Sequence, residues 1–229
     1  MNVLAFDTAT PATTVALANG KSFELRDDPP AGQRPHHATR LLPMISDVLE
    51  RSGVGWQSLD RIAVGVGPGT FTGLRVGIAT AQALARAAGT PLVAISTLKA
   101  LALNARGAGE VPEAVAAVLD ARRRQVFVAV WRMDAAGWPA EPLLSVRLLA
   151  PQELARRLEQ IGLGVLAIGD GAVAFREVLD QPGVCVPQDA SELHRVTARR
   201  HIELAPGEPV TPLDRLAPDY QRPPDAKPR

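Results

Sequence analysis

The sequence predicts an α/β protein made by duplication, and three observations predict it. Short Val-, Ile- and Leu-rich runs alternate with helical patterns. The order strand, strand, strand, helix, strand, helix, strand, helix can be read twice along the chain. A glycine-rich turn, Gly65-Val66-Gly67-Pro68-Gly69-Thr70-Phe71-Thr72-Gly73-Leu74-Arg75-Val76-Gly77, joins an apolar strand run to a long Ala-rich helical pattern. Strand, glycine turn and helix is how many α/β proteins present backbone N–H groups to an anion.

The first pass places strands at 3–7, 14–18 and 22–26, a helix at 38–52, a strand at 62–66, a helix at 72–88, a strand at 92–96 and a helix at 98–106. The second pass places strands at 115–120, 125–132 and 144–148, a helix at 151–161, a strand at 165–168, a helix at 172–180, a short strand near 184–186 and a helix within 191–204. Asn19-Gly20 lies between two strand runs and signals a hairpin. Pro151 suits a first helical position, with Glu153 close to that positive end. The halves share element order but little sequence. The expected organisation is an N-terminal lobe at 1–106 carrying partner-binding helices, a C-terminal lobe at 107–222, and a disordered tail at 223–229. The last segment of the second lobe is a candidate to pack back on the first. Seven prolines from Pro206 onward exclude a long helix or a central strand there.

Composition sets limits on function. The chain has 229 residues, 46% of them hydrophobic, which is enough for a substantial core. Its 25 basic and 24 acidic residues leave a net charge of +1. There is no global basic footprint for nucleic acid, so any RNA contact must be local or shared with a partner. Cys185 is the only cysteine, so no internal disulfide can form and a reducing cytoplasm is the expected location. Within Val184-Cys185-Val186 it reads as a buried small hydrophobe. The N-terminus has no basic stretch, and its apolar run breaks at Asp7, so no signal peptide is expected. No apolar window reaches the ~18 residues of a membrane span.

Each site candidate carries two readings. In the glycine turn, Gly67 and Gly69 bracket Pro68, and Thr70 is a good N-cap for the following helix. The turn either holds a phosphate on its N–H groups or simply packs helix on sheet. It is not a Walker loop, because no Lys-Ser/Thr pair follows the glycines. Gly73, Gly77, Ala81 and Ala85 recur every four residues and form a smooth ridge. That ridge suits either internal packing or a protein interface. The helix at 38–52 lines up Leu41, Ile45 and Val48 with Leu42 and Leu49 beside them, a broad apolar face.

His36-His37 precedes that helix, but position 41 is Leu, so no His-x-x-x-His pair is present and no metal site is expected. Asp7 and Asp120 each end the first strand of a pass. Actin-like and sugar-kinase-like ATPases begin Asp-x-Gly phosphate hairpins at these strand ends. Here Ala9 and Arg122 stand where the glycines would be, which argues against an independent ATPase. The plainer role for both aspartates is capping nearby N–H groups in a turn. Arg122-Arg123-Arg124 and Arg199-Arg200 are basic clusters that read as solvated faces, with Arg122 the one best placed to face a site.

Five stretches are distinctive together: Leu4-Ala5-Phe6-Asp7-Thr8-Ala9-Thr10, His37-Ala38-Thr39-Arg40-Leu41-Leu42-Pro43-Met44, the glycine stretch to Gly77, Ile95-Ser96-Thr97-Leu98 and Asp120-Ala121-Arg122. In them the chain resembles the TsaB (YeaZ) family of the bacterial tRNA threonylcarbamoyladenosine machinery. Pro218-Asp219-Tyr220-Gln221-Arg222 is a weaker echo. It implies an actin-like (ASKHA, ribonuclease-H-like) duplicated fold with two lobes. It also implies a non-catalytic scaffold that binds TsaD, the paralogue transferring a threonylcarbamoyl group to N6 of the adenosine beside the anticodon.

The family pairs through the two N-lobe helices, which makes Leu41, Leu42, Ile45, Leu49, Gly73, Gly77, Ala81 and Ala85 the expected partner-binding residues. The same face forms a homodimer when the protein is alone, TsaE docks on the assembled pair, and tRNA is reached only through the complex. No catalytic residue, metal or cofactor of its own is implied; Arg122 is the candidate contact for a nucleotide at the partner junction. Two departures stand out: Thr70 replaces the usual Ser, and Arg124 and Gln125 follow where the family has Gly and an acidic residue. The alternative function is an ATP-dependent phosphotransferase of the same superfamily.

Overall fold

In the computed structural model, residues 1–30 and 33–221 are described. The chain divides into two compact units. The first is Met1–Ala100 with Val196–Pro218; the second is Leu101–Arg195 with residues 219–221 of the described terminus. The tail expected at 223–229, and Arg222, lie outside the described residues.

The first unit holds β1 (Val3–Asp7), β2 (Thr13–Ala18), β3 (Ser22–Asp27), α1 (His37–Ser52), β4 (Arg61–Gly67), α2 (Phe71–Ala88) and β5 (Leu92–Ser96), followed by α3 (Thr97–Ala102) at the boundary. Its sheet order is β3-β2-β1-β4-β5, with β1–β2 and β2–β3 antiparallel and β1–β4 and β4–β5 parallel. The second unit holds β6 (Ala114–Asp120), β7 (Val126–Met133), β8 (Pro139–Leu149), α4 (Pro151–Ile161), β9 (Val165–Ile168), α5 (Asp170–Ala174), α6 (Arg176–Leu179) and β10 (Val184–Cys185). Its order is β10-β9-β6-β7-β8, with the same pattern of antiparallel and parallel pairs. The duplication read from element order is therefore a duplication of topology, and the fold is the actin-like, ribonuclease-H-like one. The last helix, α7 (Ala198–Leu204), belongs to the first unit.

Strand alternation decides what covers each face of the first sheet. Leu4, Phe6, Val15 and Leu17 join Leu41, Ile45, Val48 and Ile78, so α1 and α2 share one face. Asp7 and its cross-strand partner Thr14 point the other way and meet α7. In the second unit, Val118, Val128 and Val130 pack with Leu154, Leu158 and Leu179.

Several boundaries differ from the sequence reading. The expected lobe boundary at Arg106 falls instead at Ala100, and 196–218 leaves the second lobe for the first. Asn104 donates to the carbonyls of Leu193 and Arg195, at 3.3 and 2.7 Å, and this holds the 3-10 turn Leu103–Gly107 in the second unit. Arg26 donates to the Val196 carbonyl and the Ala198 amide to Thr14 Oγ1, which ties 196–204 to the first sheet. The helix expected at 172–180 is broken at Phe175 (φ −121°). The one expected within 191–204 is a 3-10 turn, Glu192–His194, followed by α7. Strand β8 is longer than expected because its edge position tolerates Pro139 and Pro142. The Asn19-Gly20 hairpin is present, with Gly20 at φ +90°, and Pro151 sits in the first turn of α4. Among the described residues no helix is long and apolar enough to cross a membrane.

Cys185 corrects an expectation: it is exposed, not buried. On the edge strand β10 the side chains alternate, so Val184 and Val186 turn inward and Cys185 outward. A thiol reagent added to the folded protein without denaturant is therefore expected to modify one thiol per chain at close to the rate of a free thiol. Reaction only after denaturation contradicts this geometry.

Candidate functional site

Asp7 lies at the C-terminal end of β1, 1% exposed. A buried carboxylate needs partners, and three groups of the first unit supply them. Its Oδ1 accepts the Ala9 amide at 2.6 Å, closing the turn after β1. Its Oδ2 accepts the Thr97 hydroxyl at 2.7 Å and faces His201 Nε2 at 2.8 Å. On the other side of the His201 ring, Nδ1 lies 3.0 Å from the Thr197 carbonyl. Both neighbours of the imidazole are acceptors, so the ring donates from both nitrogens and acts as a buried counter-cation. Burial alone pushes the Asp7 carboxyl up. The hydrogen bond and charge of His201, the Ala9 amide and the Thr97 hydroxyl outweigh burial and hold the carboxyl below the usual aspartate range.

The glycine stretch exists to admit this arrangement. A Cβ on Gly65 would overlap Asp7 Oδ2, and one on Gly73 would overlap the Thr8 carbonyl oxygen. The Thr8 hydroxyl donates to the Gly73 carbonyl at 2.7 Å. Two of the turn's own N–H groups are used internally: Thr70 donates to the Ala9 carbonyl at 2.7 Å and Gly67 to the Thr97 hydroxyl at 3.2 Å. Of the two readings of the turn, the geometry supports close packing on the β1–β2 hairpin. Thr70 occupies the N-cap position of α2, but its side chain makes no capping hydrogen bond.

Most of the expected partner-binding residues lie inside the first unit. Leu41, Ile45, Leu49, Gly73, Gly77, Ala81 and Ala85 are all buried within the first unit; of the eight only Leu42, 53% exposed, faces outward. The small-residue ridge is the inner face of α2, where it lets the helix approach Thr8 and β4. The outward faces carry other residues: Leu42, Pro43 and Ser46 on α1, and Phe71, Arg75, Ala79, Ala83 and Ala87 on α2. Arg75 stacks over the Phe71 ring at 4.0 Å. His37 is buried, with Nδ1 2.8 Å from Thr13 Oγ1. Burial lowers its pKa, against the opposing charges of Asp7 and Asp27. Among the described residues no three His, Cys, Asp or Glu side chains converge to hold a metal.

The second unit repeats the hairpin at β6–β7. Asp120 Oδ1 accepts the Arg122 amide at 2.8 Å, as Asp7 accepts that of Ala9, so both aspartates are turn acceptors. Asp170, at the start of α5, accepts the Asp120 amide at 2.9 Å. Arg122, the nucleotide candidate, sits in this turn with its side chain 74% exposed, 3.3 Å from Asp120 Oδ2.

His201, Thr97 and Asp170 had no assigned role in the sequence reading. His201 did carry a usable signal: Ala198, His201, Leu204 and Ala205 fall on one helical face, so a histidine in an apolar stripe needed a buried partner.

His201→Ala leaves the Asp7 carboxylate buried without a counter-charge and should cost about 3–5 kcal/mol of stability. Gly65→Ala should cost about 3 kcal/mol through overlap with that carboxylate. Asp7 has a lowered folded-state pKa, so its contribution is complete above the unfolded value. It is lost as pH falls through the lower folded value. Urea titrations from neutral pH to below about pH 4 should show a steeper acid loss in the wild type than in Asp7→Asn.

The family model described as TsaD, tRNA N6-adenosine threonylcarbamoyltransferase, matches residues 29–137. The tRNA threonylcarbamoyladenosine biosynthesis protein TsaB of Escherichia coli K12 is 35% identical over 189 residues, covering 80% of this chain and 78% of that one. The protein of the same name from Haemophilus influenzae is 41% identical over 128 residues, 56% of this chain and 52% of that one. Among solved structures, YeaZ from Pseudomonas aeruginosa superposes with a TM-score of 0.78 at 30% identity, covering 96% of this chain and 99% of that one. A Pseudomonas aeruginosa structure described as similar to peptidase YEAZ gives 0.80 at the same identity and coverage. With this identity spread over most of both chains, the protein belongs to the TsaB (YeaZ) family.

Proposed function

We propose that this protein is a non-catalytic scaffold subunit in tRNA modification. In this reading it binds TsaD and supports transfer of a threonylcarbamoyl group to N6 of the adenosine beside the anticodon. The observation that carries the reading is the closed Asp7 hairpin. In an actin-like ATPase this strand end would receive a phosphate and its metal. Here His201 supplies the positive charge, and the turn's Gly67 and Thr70 amides serve the chain's own Thr97 and Ala9. The names of the TsaB relatives support the pathway.

The partner surface in this reading is the outward face of α1 and α2, not the apolar face first expected. The two helices touch one another and cover the same side of the sheet. Their exposed side chains are small or apolar around Leu42, Pro43, Ala79 and Ala83, with Phe71 exposed at the start of α2. Small side chains let a partner helix approach closely, and the apolar ones supply the area removed from water. The same face would serve a homodimer in the absence of TsaD, and TsaE would dock on the assembled pair. The protein would then act in the cytoplasm, with no cofactor of its own and tRNA reached through the complex.

Leu42→Asp and Ala83→Arg should each weaken co-purification with the TsaD of the same organism by about 100-fold, roughly 2.7 kcal/mol. Their circular dichroism and melting temperature should match the wild type. Ile45→Asp and Ala81→Arg place a charge in the core and should instead prevent folding. Undiminished capture by both surface variants would remove this face from the interface.

A further inference from the structure

The segment 211–216 returns to the first unit and lies beside the last two turns of α2. Thr211 joins the edge strand β5: its amide donates to the Leu92 carbonyl at 2.8 Å, and its hydroxyl accepts the Ala94 amide at 3.2 Å. The Gln82 side-chain amide donates to the carbonyls of Leu213 and Leu216, at 3.0 and 3.2 Å. Leu216 is buried in the core of the first unit, and Leu213 packs against that core. The segment is thus tied to the sheet at one end and to α2 and the core at the other. Between it and the outward side of α2 lies a groove of about 700 Å³, lined by Gln82, Ala83, Arg86, Ala87, Leu213 and Asp214.

The groove combines small apolar residues with one charge of each sign. Ala83 and Ala87 continue the exposed stripe that begins at Ala79, and Leu213 is half-buried on the facing wall. Arg86 and Asp214 are both exposed, and among the described residues neither side chain has an ion pair or hydrogen bond. Single solvated charges are ordinary; the informative feature is two opposite charges on one groove. A twofold contact presents the same patch from both sides, so residue i of one protomer meets residue j of the other, and j meets i. A groove of one sign would repel its own copy. This one is complementary to itself in charge, whereas an unrelated partner would have to match both signs independently.

We propose that a second copy of this chain docks in the groove about a twofold axis, with Arg86 of each protomer against Asp214 of the other. The inference rests on the proposed function for the use of the outward α2 face as an interface; the groove adds which groups set the orientation of the copy and select it. The alanines let the two backbones approach closely. The guanidinium fork suits a carboxylate bidentately. Charges at the edge of such a contact fix register and penalise a mismatched partner more than they add affinity.

The test measures the mass of the full chain, without TsaD, by sedimentation equilibrium across the micromolar range. The wild type should be a dimer. Arg86→Asp sets carboxylate against carboxylate, and Asp214→Arg sets guanidinium against guanidinium. Each should weaken the dimer at least about tenfold, with unchanged circular dichroism and melting temperature. An equimolar mixture of the two single variants has opposite charges at both contacts and should recover the wild-type dimer, as should the chain carrying both substitutions. Added salt should weaken the wild-type dimer and tighten those of the single variants, because it screens attraction in one and repulsion in the other. A monomeric wild type, single variants that pair as tightly as the wild type, or a mixture without recovery would each overturn the proposal. Single variants that keep the dimer but lose TsaD capture would give the groove to the heteromeric contact and overturn it as well. Because the mass is read without TsaD, a wild type that fails to capture TsaD counts against the proposed function and leaves the dimer result standing.

Discussion

The first unit is organised around one constraint: a carboxylate at the end of its central strand is taken out of water. An ionised group in that position is tolerated only when hydrogen-bonded and paired. Each partner of Asp7 comes from a different stretch of chain. The Ala9 amide fixes the turn after β1, the Thr97 hydroxyl fixes the end of β5, and His201 draws in a helix 194 residues away in sequence. The C-terminal segment is thus part of the first unit because the strand-end charge needs it there. Further contacts follow the same path, among them Arg61 to the Ala205 carbonyl at 2.7 Å and Lys99 to Glu208 at 2.6 Å.

The same constraint explains the glycines. A hairpin that carries a buried charge has to be covered closely, and Gly65 and Gly73 remove the side chains that would prevent it. The small residues that continue along α2 extend this approach, so their meaning is internal. Whatever α2 offers to a partner must lie on its opposite face. There alanines recur at 79, 83 and 87, also four apart and exposed. Two smooth stripes on one helix, one inward and one outward, look alike in sequence, because a four-residue period records spacing and not direction.

That ambiguity marks how much could be read from the residues. Element order, the hairpin at Asn19-Gly20 and the start of α4 were legible because they depend on local pattern and turn chemistry. The degenerate hairpins were legible too, since Ala9 and Arg122 visibly replace glycines. What was not legible depends on contacts distant in sequence. Nothing near His201 indicates that its partner is Asp7, and nothing near Cys185 shows that the strand's outward register falls on it. The apolar face of α1 was identified correctly as a face. What periodicity does not show is what covers that face: Leu41, Ile45 and Leu49 close the unit's own core.

The duplication then gives a comparison within one chain. Both units end their first strand in aspartate, and both use that aspartate to accept the amide two residues on. From there they diverge. In the first unit the residues after the aspartate are Thr8 and Ala9, both buried, and the backbone reaches its turn under packing from neighbouring elements. In the second they are Ala121 and a run of arginines, and the backbone holds a left-handed path with exposed side chains. A buried hairpin can be held in an unusual path by what packs on it. An exposed one lacks that support, and glycine is the residue that would make the path easy.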